Sequence, residues 1–265
     1  MNQEKLKQFI IQLSAEAGEY LRNHFYTFKN VTLRDTGGLV TNIDLELAEI
    51  IRQRINQEYP DHQVVIQGDK AAPTNAAYVW LIDPLDGSSH FSHNIPVYTS
   101  SLALQHNGVT ILGAVNQPQT NQLFFAQKDH GAYLNGIMIN VSEQKDLSQA
   151  FIFVELPEQK FNDQQLSSQE FTAKMEAVSR LVSQTGQIET FRIGSFGQCL
   201  VASGAFDAYV DLSGSSEAIS QAASQLILAE AGAKITALNQ SKDDLVQVMA
   251  TNQHLTKDLL KIING

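Results

Sequence analysis

A chain of 265 residues with 43% hydrophobic residues has the size and composition of a soluble globular protein, built as one large domain or two closely packed ones. Its formal net charge of -10 argues against bulk nucleic-acid binding, which needs a basic face, yet leaves phosphorylated substrates open because a bound divalent cation reverses the local field. The single cysteine, Cys199, excludes an internal disulfide framework; with no signal-peptide core and no apolar run of membrane length, a cytoplasmic location and no membrane partner are expected.

Leu6, Phe9, Ile10, Leu13, Ala17, Tyr20 and Leu21 recur at helical spacing and predict an amphipathic helix from about residue 3 to 25. After a Gly37-Gly38 turn, Val40-Thr-Asn-Ile-Asp44 opens a second helix marked by Leu47, Ile50, Ile51 and Ile55. Asp44 falls in its first turn, where the helix dipole alone favours a carboxylate, so capping and catalysis both remain open. Val64 to Ile66 reads as a short strand closed by Gln67-Gly68-Asp69-Lys70.

The apolar run Tyr78 to Ile82 reads as a buried strand that stops at Asp83-Pro84-Leu85-Asp86-Gly87. Ser88 and Ser89 follow, as at a helix N-terminus whose free amides attract anions. Carboxylates for a hard cation beside amides for a phosphate suit metal-assisted phosphate chemistry. The same residues also read as a capped turn in which both aspartates accept backbone hydrogen bonds. Asn107-Gly108 and Asn135-Gly136 are hairpin signals between alternating apolar runs, so the first half is predicted as two helices on a largely antiparallel sheet.

The second half opens with a strand at Phe151 to Val154. Phe171, Met175, Val178, Leu181 and Val182 predict a helix over about 164–185. A strand near Ile188 to Ile193, a short helix around Gln198 to Ser203 and a strand at Ala208 to Asp211 follow. Ser215 or Ser216 is expected to cap a helix ending at Gly232, with a strand at Leu245 to Ala250 and a last helix over about 253–263.

Val40-Thr-x-x-Asp44, Gly68-Asp69, Asp83-Pro-Leu-Asp-Gly-Ser88 with Phe91, Cys199-Leu-Val-Ala-x-Gly204-x-Phe-Asp-x-Tyr209 and Glu230-Ala-Gly232, in that order, resemble the inositol monophosphatase family. The resemblance implies an α+β fold, a layered αβαβα sandwich with a mostly antiparallel first sheet. Residues 1–145 would form an N-terminal half carrying the metal motif, and residues 146–265 a C-terminal half completing the site. It further implies a homodimer and a Mg²⁺-dependent phosphatase acting on a small phosphorylated substrate. Asp83, Asp86 and the Leu85 carbonyl would hold magnesium, and Asp69 would stand where the family has a ligating Glu. Asp44 and Ser88 would orient or deprotonate the attacking water, and the amides of Gly87 and Ser88 would hold the phosphate.

Departures from the family pattern are Asp69-Lys70 in place of its Glu-Glu and, in the second half, the loss of two acids. Ser220 stands where an Asp normally helps bind a second metal, and Ser213 where an acid usually touches the substrate hydroxyls. Glu217, nearly one helical turn before Ser220, is the candidate replacement ligand. Gly194-Ser195 resembles the family's Gly-Ser, with spacing about two residues short. Two readings therefore stand: a phosphatase for an inositol monophosphate-like ester, a sugar bisphosphate or a 3′-phosphoadenosine nucleotide, or a weakened member acting as a binding or regulatory protein.

Overall fold

The computed structural model describes residues 3–33, 38–69, 76–161, 164–239 and 245–265. Helix α1 (Gln3–His24) buries Leu6, Ile10, Leu13, Ala17 and Leu21, the stripe that the spacing predicts. The short strands β1 (Val31–Leu33) and β2 (Leu39–Thr41) pair antiparallel and lead into α2 (Asn42–Glu58).

A seven-stranded sheet follows: β3 (Gln63–Ile66), β4 (Tyr78–Asp86), β5 (Thr99–His106), β6 (Val109–Gln117), β7 (Gln122–Gln127), β8 (Ala132–Leu134) and β9 (Ile137–Ile139), with a short helix, α3 (Ser88–Ser92), between β4 and β5. The strands lie side by side in chain order and antiparallel throughout, except that β3 runs parallel to β4. The β5–β6 turn sets both Asn107 and Gly108 at positive φ, 50° and 77°, the mirror-image turn that the Asn-Gly pair favours.

The second half comprises β10 (Phe151–Glu155), β11 (Lys160–Phe161), β12 (Gln164–Gln165), α4 (Ser168–Gln184), β13 (Gln187–Glu189), α5 (Gly194–Ala202), β14 (Ala208–Asp211), α6 (Ala218–Glu230), β15 (Lys234–Ala237), β16 (Val248–Thr251) and α7 (Thr256–Asn264). Five of these strands form a second sheet in the order β13-β10-β14-β16-β15, with β10 parallel to both its neighbours.

Three cores separate five layers. The first packs α1 and α2 on the large sheet around Trp80, Ile82, Leu102 and Leu104. The second lies between the sheets around α5 and α6, where Ala103 and Phe124 of the first half meet Phe153, Cys199 and Ile227 of the second. The third covers the far face of the small sheet with Leu181 of α4 and Leu259 of α7. This is the expected αβαβα order. Cys199 is fully buried there as a small apolar residue. No helix among the described residues is long and apolar enough to cross a membrane.

Several boundaries differ from the sequence expectation, each for a local reason. Strand β4 does not stop at Ile82; it continues through an irregularity between Asp83 and Asp86 that absorbs Pro84, which has no N–H for the ladder. Helix α4 starts at Ser168 because Ser167 and Glu170 form a capping box. Helix α6 is capped at Glu217 rather than at Ser215 or Ser216, whose hydroxyls are committed to Ser213 and Asp211. β13 ends at Glu189, and α5 begins at Gly194, earlier than its apolar pattern indicates, after Arg192 takes a positive φ of 55°. β16 begins at Val248; Leu245 makes only an isolated bridge to Glu217. Strand β15, half exposed and four residues long, has no clear alternation and was not expected.

Candidate active site

Asp44 is built into the start of α2 by the Thr41 capping box. Its Oδ2 accepts from the Thr41 amide at 2.9 Å and from the Thr41 hydroxyl. Its Oδ1 accepts from the Ser88 hydroxyl at 2.7 Å. Capping and chemistry are therefore compatible, one oxygen serving each. The single Ser88 proton is shared between Asp44 and the Leu85 carbonyl, 2.9 Å away.

The irregularity in β4 turns the chain so that Asp83 is buried and Asp86 reaches across to the second half. Asp86 Oδ2 accepts from the Ser195 amide at 3.2 Å and the Ser195 hydroxyl at 2.5 Å, both at the first turn of α5. The Thr99 hydroxyl supports Ser195 at 2.8 Å. Burial raises the pKa of Asp86; the hydrogen bonds from Ser195 and from the Gly87 amide oppose that rise. Gly87 is required by geometry: its φ is 89°, and a Cβ would lie 2.9 Å from the Ile193 side chain.

Asp83, Leu85, Asp86, Ser88, Arg192 and Glu217 line one polar cavity of about 200 Å³. Asp69 is not among its walls. The turn from Ile66, with Gly68 at φ 90°, swings Asp69 back so that its Oδ2 accepts from Arg52 and from the Ile66 amide, each at 2.9 Å. Gln67 lines the cavity instead. A hydrogen bond from its amide to the Ile82 carbonyl extends the strand pairing by one residue beyond β3. Ser220, 9% exposed, borders an adjoining compartment together with Ser213 and Asp86. The Ser213 hydroxyl is turned onto Asp211 at 2.7 Å.

Sequence reasoning did not single out Gln67, Arg192 and Glu155, which line these cavities, nor the adjacent pair formed by Glu155 and Asp211. A usable signal existed for the last two: each ends an apolar strand with an acid, the same pattern as Asp83. A larger cavity of about 600 Å³ lies between β3, β4 and α6, but its walls are largely apolar, Val65, Leu81, Ile219 and Leu226 among them. The polar cavity is where titratable groups converge.

The model of the inositol monophosphatase family matches residues 2–264. The chain belongs to the inositol monophosphatase family. An inositol-1-monophosphatase of Caulobacter vibrioides is 28% identical to it, over 95% of this chain and 98% of that protein. A protein of Pasteurella multocida named Nus factor SuhB is also 28% identical, over 88% of this chain and 85% of that protein. Among solved structures, an IMPase of Thermotoga maritima superposes with a TM-score of 0.84 at 26% identity, covering 98% of this chain and 97% of that one.

Family members use a divalent metal, and the donors present can be tested against one. No group of three or more Asp, Glu, His or Cys side chains among the described residues is close enough to hold an ion by itself. Mg²⁺ needs fewer, since it takes oxygen ligands and keeps several waters. Asp83, Asp86, the Leu85 carbonyl and Gln67 supply an all-oxygen set on one cavity, and a buried carboxylate such as Asp86 is stabilised by a nearby cation. This set fits a first ion. Around Ser220 the adjoining compartment adds the carboxylates of Glu217 and Glu155, and Ser220 itself brings only a neutral hydroxyl where the family pattern has an acid.

Proposed function

We propose that the protein is a Mg²⁺-dependent phosphomonoesterase for a small phosphate ester, with inositol monophosphate-like compounds first among the candidates. One observation carries this reading: the Ser88 hydroxyl is hydrogen-bonded to the buried carboxylate of Asp44 at the edge of the cavity lined by Asp83 and Asp86. In this reading Asp83, Asp86, the Leu85 carbonyl and Gln67 hold the ion. When bound, Mg²⁺ supplies positive charge that offsets the charge of the ester and favours ionisation of water. Ser88 hydrogen-bonds the attacking water, and Asp44 Oδ1 receives its proton through the Ser88 hydroxyl or directly. Ser195 keeps the Asp86 carboxylate oriented toward the cavity. The Gly87 amide already serves Asp86, so the Ser88 amide makes the phosphate contact.

Phosphate release from a panel of monophosphates with Mg²⁺, with Asp86→Asn as the control, tests the reading. Turnover by the native protein and none by the variant is the expected result. Equal inactivity of both at high Mg²⁺ across the panel would overturn it.

A second reading rests on Ser220, which is neutral where the family pattern has Asp, and on the likeness to proteins named Nus factor SuhB. In it the chain is a weakened member retained for binding, and residual activity does not rise when Ser220→Asp is introduced. For either reading we infer a homodimer, by analogy with the family, checked by sedimentation.

A further inference from the structure

Strands β10 and β14 run parallel, and their last residues, Glu155 and Asp211, are register partners. Both side chains are buried at the same end of the small sheet, and they are supported very differently. Asp211 accepts from the Ser213 amide and hydroxyl at 2.8 and 2.7 Å, from the Ser216 hydroxyl at 2.7 Å and from the Gly214 amide at 3.4 Å. Glu155 is 4% exposed, and its Oε1 has no hydrogen-bond donor among the described residues. Arg192, the nearby cation, pairs with Glu158. A carboxylate in such surroundings is costly unless something else brings it donors or positive charge.

The space that Glu155 faces is defined by a missing side chain. A Cβ on Gly194 would lie 2.8 Å from the Tyr209 hydroxyl, 3.5 Å from Gln221 Nε2 and 3.8 Å from Glu155 Oε1. All three atoms are buried without a hydrogen-bond partner. Glu155 and Gln221 line a compartment of about 150 Å³ that shares Asp86, Arg192 and Glu217 with the catalytic cavity. With a phosphate at the Ser88 amide, as in the proposed function, a group attached to its ester oxygen would have this compartment beside it, since the two cavities share walls.

The chemistry of the walls selects among occupants. A metal ion is disfavoured because Gln221 Nε2, a donor with no lone pair to offer, borders the same space as Glu155 Oε1. A hydroxyl or a water completes one hydrogen bond but leaves the neighbouring charges of Glu155 and Asp211 without a counter-charge. An ammonium carries three donors and a positive charge, and an oxygen beside it accepts from Gln221 Nε2. We propose that Glu155 is a specificity residue that selects phosphate esters whose alcohol half bears an ammonium group next to a hydroxyl or ether oxygen, as in an amino-sugar phosphate. The inference rests on the phosphatase reading for its reaction and on the Glu155 compartment for its selectivity. Burial, with Asp211 and Asp86 nearby, also holds the Glu155 carboxyl well above its ordinary range, as expected of a carboxylate whose counter-charge arrives with the ligand.

The test compares glucosamine 1-phosphate with glucose 1-phosphate, and the corresponding 6-phosphates, on the full chain with Mg²⁺. The proposal expects kcat/KM to favour the amine in at least one pair by roughly tenfold or more, the worth of one charge-assisted hydrogen bond. Glu155→Gln should bring that ratio close to unity. Equal kcat/KM within both pairs, or a preference that survives Glu155→Gln, overturns it. If neither ester is hydrolysed, the phosphatase reading has failed, and calorimetric binding of the same pairs decides the inference: an amine preference lost in Glu155→Gln sustains it, and equal binding overturns it. Circular dichroism of the variant confirms that it folds.

Discussion

The Ser88 hydroxyl lies 2.7 Å from the Asp44 carboxylate, joining the start of α3 to the start of α2 across 44 positions of chain. The pair should act as one unit in proton transfer. Asp44→Asn and Ser88→Ala are each expected to lower kcat by roughly 10²–10⁴-fold. The double variant should be little worse than the poorer single one, as is usual for groups that work together. Steady-state phosphate release from the best substrate of the panel measures this, and fully additive losses would show that the two act separately.

Gln67 and Asp69 should respond oppositely to substitution. Asp69 is held by Arg52 outside the cavity wall, in a half-exposed ion pair of small energetic weight. Asp69→Asn therefore leaves the Mg²⁺ concentration for half-maximal activity nearly unchanged. Gln67→Glu adds a carboxylate to the wall and should lower that concentration by on the order of tenfold. A Mg²⁺ titration of both variants discriminates; a large effect at Asp69 and none at Gln67 would reverse the assignment.

Glu217 occupies the N-cap position of α6 without a side-chain capping hydrogen bond. It faces the cavity of Asp83 and Asp86. Glu217→Gln should raise the Mg²⁺ requirement. Unchanged magnesium activation would rule out Glu217 as the replacement for the acid missing at Ser220.

Glu155 carries a stability consequence with a definite sign. Its carboxyl is held well above 4.5, chiefly by burial and then by the charges of Asp211 and Asp86. A raised folded-state pKa means the folded chain binds a proton that the unfolded chain releases. The associated stability is complete below about 4.5 and is lost as pH rises through the folded value. Glu155→Gln should thus melt at a higher temperature than the native protein near neutral pH, with the difference closing as the pH falls toward 4.5. Calorimetric scans in the absence of substrate check it, and a native protein at least as stable throughout would contradict it.

The fold was largely legible because its signals are local. The apolar stripe of α1, the Asn-Gly turns at 107 and 135 and the buried strands each announce themselves within a few residues. Asp44, Asp83, Asp86 and Ser88 stand out in the sequence because they lie in short motifs at element ends. Gln67 was missed because its position depends on how Gly68 turns the chain, and Asp69 was the more obvious acid. The pairing of Glu155 with Asp211 joins strands 56 positions apart and is visible only once β10 and β14 are side by side. Ser195 reaches Asp86 across 109 positions, a partnership that no local pattern encodes.

Strand β6 and helix α6 meet at Gly113, where a Cβ would fall 2.8 Å from the Ala223 carbonyl oxygen and 3.0 Å from its Cα. The spacer between the large sheet and the helix that follows Glu217 is therefore main chain on both sides. Main-chain atoms are the same in every protein, so side chains elsewhere in the central core can be exchanged without altering this separation. A contact of this kind acts as a gauge block for the site, and it offers a physical reason why a relative sharing 26% of its residues superposes with a TM-score of 0.84.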